Sequence, residues 1–164
     1  YYFPVDSNKK TIEKRATGDI YLSVITGGNS ICSVSSMVKK SVFDALNGYD
    51  ENLAYEDLDL WIRASRVYDF DYIDEILIKK RISTTSLGTH FFIKNDERSK
   101  KINYSTYLII QKAIRLNQTK SEHKAILKRM HFEMILAFKT RDYKLFFKYL
   151  SLEIKQRCRI FSGQ

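Results

Sequence analysis

The residues able to do chemistry are concentrated in one acidic stretch. Residues 44–76 hold ten carboxylates (Asp44, Asp50, Glu51, Glu56, Asp57, Asp59, Asp69, Asp71, Asp74 and Glu75) against two bases, Arg63 and Arg66. The densest part is Asn47–Ser65, NGYDENLAYEDLDLWIRAS. Acids in the first turn of a helix complement its positive end, and that alone accounts for Glu56, Asp57 and Asp59. It does not account for their company, which is a Gly turn, one acid pair, an aromatic, and a second acid pair opening an apolar helix. Charge placed beside a core is costly unless it is paired or used. A carboxylate fixed there suits general-base work, drawing a proton from a sugar or other hydroxyl. Neighbouring acids raise its pKa and the helix terminus lowers it, so the sequence leaves the sign open.

Other candidates carry less. His123 and His131 lie eight apart with no Cys, Asp or Glu completing a metal-ligand helix motif, and they read as surface histidines. Cys32 has no partnering His and reads as a small core residue. Two Asp-x-Asp strings occur, Asp57-Leu58-Asp59 and Asp69-Phe70-Asp71. In the first, positions i and i+2 of a helix face different ways, and the second precedes a predicted strand, so neither is expected to hold a cation. No Gly-rich phosphate loop or Gly-x-Ser-x-Gly elbow is present.

The elements that must position these residues differ between the two halves. Up to residue 86, short β-rich runs alternate with helices. Ile20–Ile25 and Ser30–Val38 read as strands punctuated by Gly27-Gly28-Asn29. Ser41–Leu46 reads as a helix stopped by Asn47-Gly48. Tyr55–Val67 reads as a helix apolar around most of its circumference, hence buried. Asp71–Ile73 and Ile76–Ile82 read as short strands, and the polar run Ser83–His90 as a loop. Residues 87–164 are helical in pattern. Apolar stripes run through Tyr107, Ile110 and Ile114, through Leu127, Met130, Met134 and Phe138, and through Tyr143, Phe147, Leu150, Ile154 and Cys158.

Composition sets the outer bounds. The chain has 164 residues, 44% hydrophobic and 29% charged with one Pro, which excludes a disordered or low-complexity chain. Cys32 and Cys158 cannot build a disulfide framework, and free thiols fit a reducing, cytoplasmic setting. Residues 1–86 hold 11 basic and 13 acidic side chains, and residues 87–164 hold 17 and 6. The basicity therefore belongs to the second half. The start at Tyr1 reads as a cut from a longer polypeptide.

The stretch Gly48-Tyr49-Asp50-Glu51 followed by Tyr55-Glu56-Asp57-Leu58-Asp59-Leu60-Trp61-Ile62-Arg63 resembles the acceptor-side signature of family 2 glycosyltransferases. In that family a Gly-Gly-Phe-Asp-Glu turn leads into a Glu-Asp-x-Asp-Leu-Trp-x-Arg helix. The similarity covers about residues 20–86. It implies a partial α/β domain of the GT-A type over residues 1–86, with few short strands, followed by a basic helical extension over 87–164. It implies inverting transfer of a sugar from a nucleotide-sugar donor to an acceptor hydroxyl of a cell-surface polysaccharide or glycolipid. Asp57, beside Glu56, would be the catalytic base. Gly48, Tyr49, Asp50 and Trp61 would line the acceptor side, and Arg81 would contact the donor. The family's Arg-x-His reads Arg81-Ile82-Ser83 here. The donor-binding half, with the Asp-x-Asp that holds Mn²⁺ or Mg²⁺, is not matched, so this chain alone is expected to be inactive and to bind no metal.

The alternative is a basic helical module that binds nucleic acid or a membrane surface without catalysis. Nucleic acid is disfavoured, because no known reading motif occurs and the aromatics fall on apolar stripes. Peripheral contact with the inner face of the plasma membrane is compatible with transfer. Lys139–Arg159 places Phe146, Phe147 and Leu150 among Lys144, Lys148, Lys155 and Arg157. Packing of that helix on the rest of the chain is the favoured reading. A half domain with uncovered edges is also expected to self-associate.

Overall fold

The computed structural model describes residues 17–27, 31–75, 77–78 and 91–162. Among them six α-helices follow in order: α1 Tyr21–Thr26, α2 Lys40–Ala45, α3 Glu56–Ser65, α4 Glu97–Leu116, α5 Lys120–Lys139 and α6 Tyr143–Ser162. No sheet forms among the described residues. Extended pairing is reduced to one isolated antiparallel bridge, Gly18 with Phe70. The expected partial α/β GT-A domain is therefore corrected to a helical assembly.

The error at Ile20–Ile25 has a local cause. A short apolar run does not by itself distinguish a strand from a buried helical turn. Here Asp19 Oδ1 accepts from Tyr21 N at 3.0 Å. Gly27, at φ +79°, closes the other end by donating to Ser23 and Val24 carbonyls. Tyr21, Val24 and Ile25 are buried, and that burial outweighs the β preference of Val and Ile. Within the expected strand Ser30–Val38, Ser33–Ser35 form a single 3₁₀ turn. Residues 71–75 are irregular, and Ile73 is exposed rather than packed on a sheet. Most of Ile76–Ile82 lies outside the described residues, as does Arg81.

The helix expected at Ser41–Leu46 forms over Lys40–Ala45, and Asn47 and Gly48 both adopt left-handed φ after it. The three long helices stand where their periodicity placed them, with clear caps. Asp96 accepts from Ser99 N at the start of α4. Thr119 and Glu122 form a reciprocal capping box on α5. Asp142 Oδ1 accepts from Leu145 N at 3.0 Å in the first turn of α6.

Helix α5 is the centre of the assembly, packing on α1, α4 and α6, while α3 packs on α1 and α4. One continuous core joins Ile20, Val24, Leu60 and Trp61 to Ile109, Ile126, Met130 and Tyr149. A polar joint reinforces it. Arg66 lies 4.1 Å over the Tyr21 ring and pairs with Glu122 at 2.8 Å. The Tyr21 hydroxyl donates to Asn117 Oδ1 at 2.8 Å.

One stripe is turned the other way. On α6 the buried residues are Leu145, Tyr149, Glu153 and Gln156. Tyr143, Phe147 and Ile154, expected inside, are exposed, and so is Cys158. Two apolar faces lie on this helix, and α5 takes the one containing Tyr149.

Candidate functional site

Helix α3 is short, and its length is spent on two opposed tasks. Asp59, Leu60, Trp61, Ile62, Ala64 and Ser65 are all buried, so the helix is enclosed nearly all round. Its acids then separate by position. Asp59 is 1% exposed and sits between two cations, Arg63 Nε at 2.8 Å and Lys112 Nζ at 3.0 Å. Lys112 also pairs with Asp50 at 2.6 Å. Arg63 continues the network by donating to the Leu46 and Gly48 carbonyls. The turn, the Asp50 segment, α3 and α4 are thus pinned by one chain of charges. A buried charge held this way is worth keeping intact, because removing one partner strands the others.

Asp57 stands outside that network. The Leu58 amide and the Ser33 hydroxyl donate to its carboxylate, and among the described residues it makes no ion pair. Burial pushes its pKa up, the neighbouring Glu56 adds to the rise, and hydrogen bonds from the Leu58 and Asp57 backbone and the Ser33 side chain offset only part of it. The sign left open by the sequence is upward. Such a carboxylate holds a proton more readily than an ordinary Asp, which is the property a general base needs.

A cleft of about 60 Å³ opens at Asp57, lined also by Val24, Gly27, Tyr55, Trp61 and Arg129. It has room for a few waters or one hydroxymethyl-sized group. The Trp61 indole N–H is buried and meets no acceptor among the described residues. Arg129 enters from α5, held at 2.7 Å by the buried Glu133. Its approach depends on Gly27, where a Cβ would lie 2.6 Å from Arg129 Nη1. Burial pushes the Glu133 carboxyl up and Arg129 opposes the shift, with burial the stronger.

Of the residues expected on the acceptor side, Asp57 and Trp61 line this cleft together. Gly48, Tyr49 and Asp50 do not. Gly48 supplies a left-handed turn with its carbonyl bound by Arg63. Tyr49 packs edge-on to Phe43 at 5.2 Å, and Asp50 is held by Lys112. Glu56 is exposed. His123, read as a surface histidine, is buried. Arg129, Lys112 and Gly27 were not singled out for the site. Arg129 and Glu133 carry only an i, i+4 spacing, which looks like any solvated helix pair until tertiary packing buries it.

Among the described residues no group of three or more His, Cys, Asp and Glu side chains is placed to hold a metal ion. No described helix is long and apolar enough to cross a membrane. Comparison with family models, curated proteins and solved structures finds no match to this chain.

Proposed function

We propose that the chain carries the acceptor side of a glycosyl-transfer site, with Asp57 as the base. The observation that carries the reading is the Asp57 carboxylate in a cleft that it lines with Trp61, with no ion pair to it among the described residues and its pKa raised by burial. The resemblance of Gly48–Arg63 to the acceptor-side signature of family 2 glycosyltransferases supports it from the sequence.

In this account the acceptor hydroxyl enters the cleft beside the Trp61 ring and donates to Asp57. Asp57 takes the hydroxyl proton as the oxygen forms a bond to the anomeric carbon of the donor. The bond from that carbon to the nucleoside diphosphate breaks, and its electron pair leaves with the diphosphate. The donor is assigned to a separate donor-binding half. The network of Asp59, Arg63, Lys112 and Asp50 holds the α3 N-terminus rigid, and positioning of this kind is a large part of catalytic rate.

The chain has a single Trp, so Trp61 fluorescence reports on this cleft alone. Titration with a panel of mono- and disaccharide acceptors is expected to change the emission saturably for at least one of them. The change should be reduced in Asp57→Ala, which keeps the fluorophore. An emission indifferent to every glycan would count against acceptor binding here.

A further inference from the structure

The apolar stripe that faces outward on α6 needs an occupant. Tyr143, Phe147 and Ile154 are 52%, 63% and 54% exposed, and Phe161 continues the line at 87%. Phe138 at the end of α5 extends it, 6.0 Å from the Tyr143 ring and 5.7 Å from Phe146. Exposed apolar side chains scattered singly need no explanation, but a continuous file of them does.

The charge beside the stripe identifies what covers it. Lys144, Lys148 and Lys155 flank one side, where with Tyr107, Gln111 and Phe147 they line a groove of about 330 Å³. Lys148 leans over the rings of Tyr104 and Tyr107, at 4.6 and 5.6 Å. Residues 120–162 contain eleven basic and four acidic side chains. All four acids are already engaged. Glu122 pairs with Arg66, Glu133 with Arg129 and Glu153 with Arg157, while Asp142 caps α6. No carboxylate among them is left to answer the lysines.

We infer that the outward face of α6, from Tyr143 to Phe161, docks on an anionic lipid surface. The aromatic and aliphatic stripe sinks into the interface while Lys144, Lys148 and Lys155 reach the headgroup phosphates. A second copy of the chain fits the stripe less well. Two α6 helices packed antiparallel about a two-fold axis would bring lysine flank against lysine flank. Single-stranded nucleic acid fits less well too. Bases stack on open, parallel platforms, whereas Phe138, Phe146 and Phe147 meet one another at 57° and 77°. This inference does not depend on the transfer reading.

Co-sedimentation of the full chain with lipid vesicles tests it. The chain should bind vesicles containing roughly 30% phosphatidylglycerol at about 0.1 M salt and should leave pure phosphatidylcholine vesicles unbound. Phe147→Ser with Ile154→Ser should weaken partition at least about tenfold. Lys144→Gln with Lys155→Gln should weaken it roughly thirtyfold. All four positions lie on the outward face or its flank, so far-UV circular dichroism should be unchanged, and the lysine pair reports even if the apolar pair disturbs folding. No binding to anionic vesicles, equal binding to neutral ones, or binding indifferent to both pairs of substitutions would overturn the inference. So would a stable lipid-free dimer abolished by Phe147→Ser, or preferential binding of single-stranded RNA over anionic vesicles.

Discussion

Asp57 and Asp59 stand two residues apart on α3, yet Asp59 is clasped by Arg63 at 2.8 Å and Lys112 at 3.0 Å while Asp57 makes no ion pair among the described residues. One carboxylate holds the helix in place. The other is left with a proton affinity that burial has raised.

The two acids should therefore respond in opposite directions to neutralisation. A carboxyl whose folded pKa is raised contributes stability below its unfolded value of 3.8 and loses it as pH rises through the folded pKa. At neutral pH the ionised Asp57 costs stability, so Asp57→Asn should leave the melting temperature unchanged or slightly higher. Asp59→Asn removes the buried carboxylate that Arg63 and Lys112 share, leaving Arg63 the Leu46 and Gly48 carbonyls and Lys112 only Asp50, and should cost about 2 kcal/mol, or roughly 4–8 °C for a chain of this size. Read from the sequence alone, Asp59→Asn is the benign control, because two residues along a helix suggests only a different face. Thermal unfolding of both variants checks the ordering.

Asp50 supplies an acid-side signature. The hydrogen bond from Lys112, then those from the Asn52 amide and side chain, lower its pKa to about 2. Its contribution to stability should be complete above 3.8 and lost as pH falls through about 2. Carboxyl resonances followed by NMR should place its midpoint near that value. In Lys112→Gln the midpoint should move up toward 3.8, the ordinary value. A midpoint unmoved by Lys112→Gln would remove Asp50 from the network.

Gly27→Ala tests the packing that brings Arg129 to the cleft. The new methyl meets Arg129 Nη1 at 2.6 Å, and the residue must also hold φ +79°. The left-handed conformation alone costs about 1–2 kcal/mol, and displacement of Arg129 from Glu133 adds to it. In an Arg129→Met background the steric part should vanish. A double-mutant cycle should then show a coupling of about 1 kcal/mol or more. Strict additivity would mean that the guanidinium moves aside freely.

How much of this was legible follows from the range of each signal. Asn47-Gly48 is a local stop signal, and the helix before it formed where the sequence placed it, whereas the Asp96 cap and the part of Glu122 in the α5 capping box are seen in the structure. Burial of α3 was legible because apolar residues occupy most of its circumference. The helix Tyr21–Thr26 was not, since Val24 and Ile25 favour a strand until α5 and α3 cover them. The α6 stripe misled for a different reason: Tyr143, Phe147 and Ile154 have perfect helical spacing, and periodicity cannot say which of two apolar faces the core will take. Asp57 and Trp61 were found from their neighbours in the chain. Arg129, seventy-two residues beyond Asp57, arrives only through the packing of α5.

The measurement closest to the central claim is turnover of Asp57→Asn. It is made in a polypeptide that carries this chain together with a donor-binding half, as the proposal requires, with nucleoside diphosphate release followed at saturating nucleotide sugar and glycan acceptor. The substitution keeps the shape and removes the base, so turnover should fall by about 10²–10⁴-fold, while donor affinity and melting temperature hold. Turnover within a few-fold of the unaltered protein would contradict the assignment of Asp57 as the base.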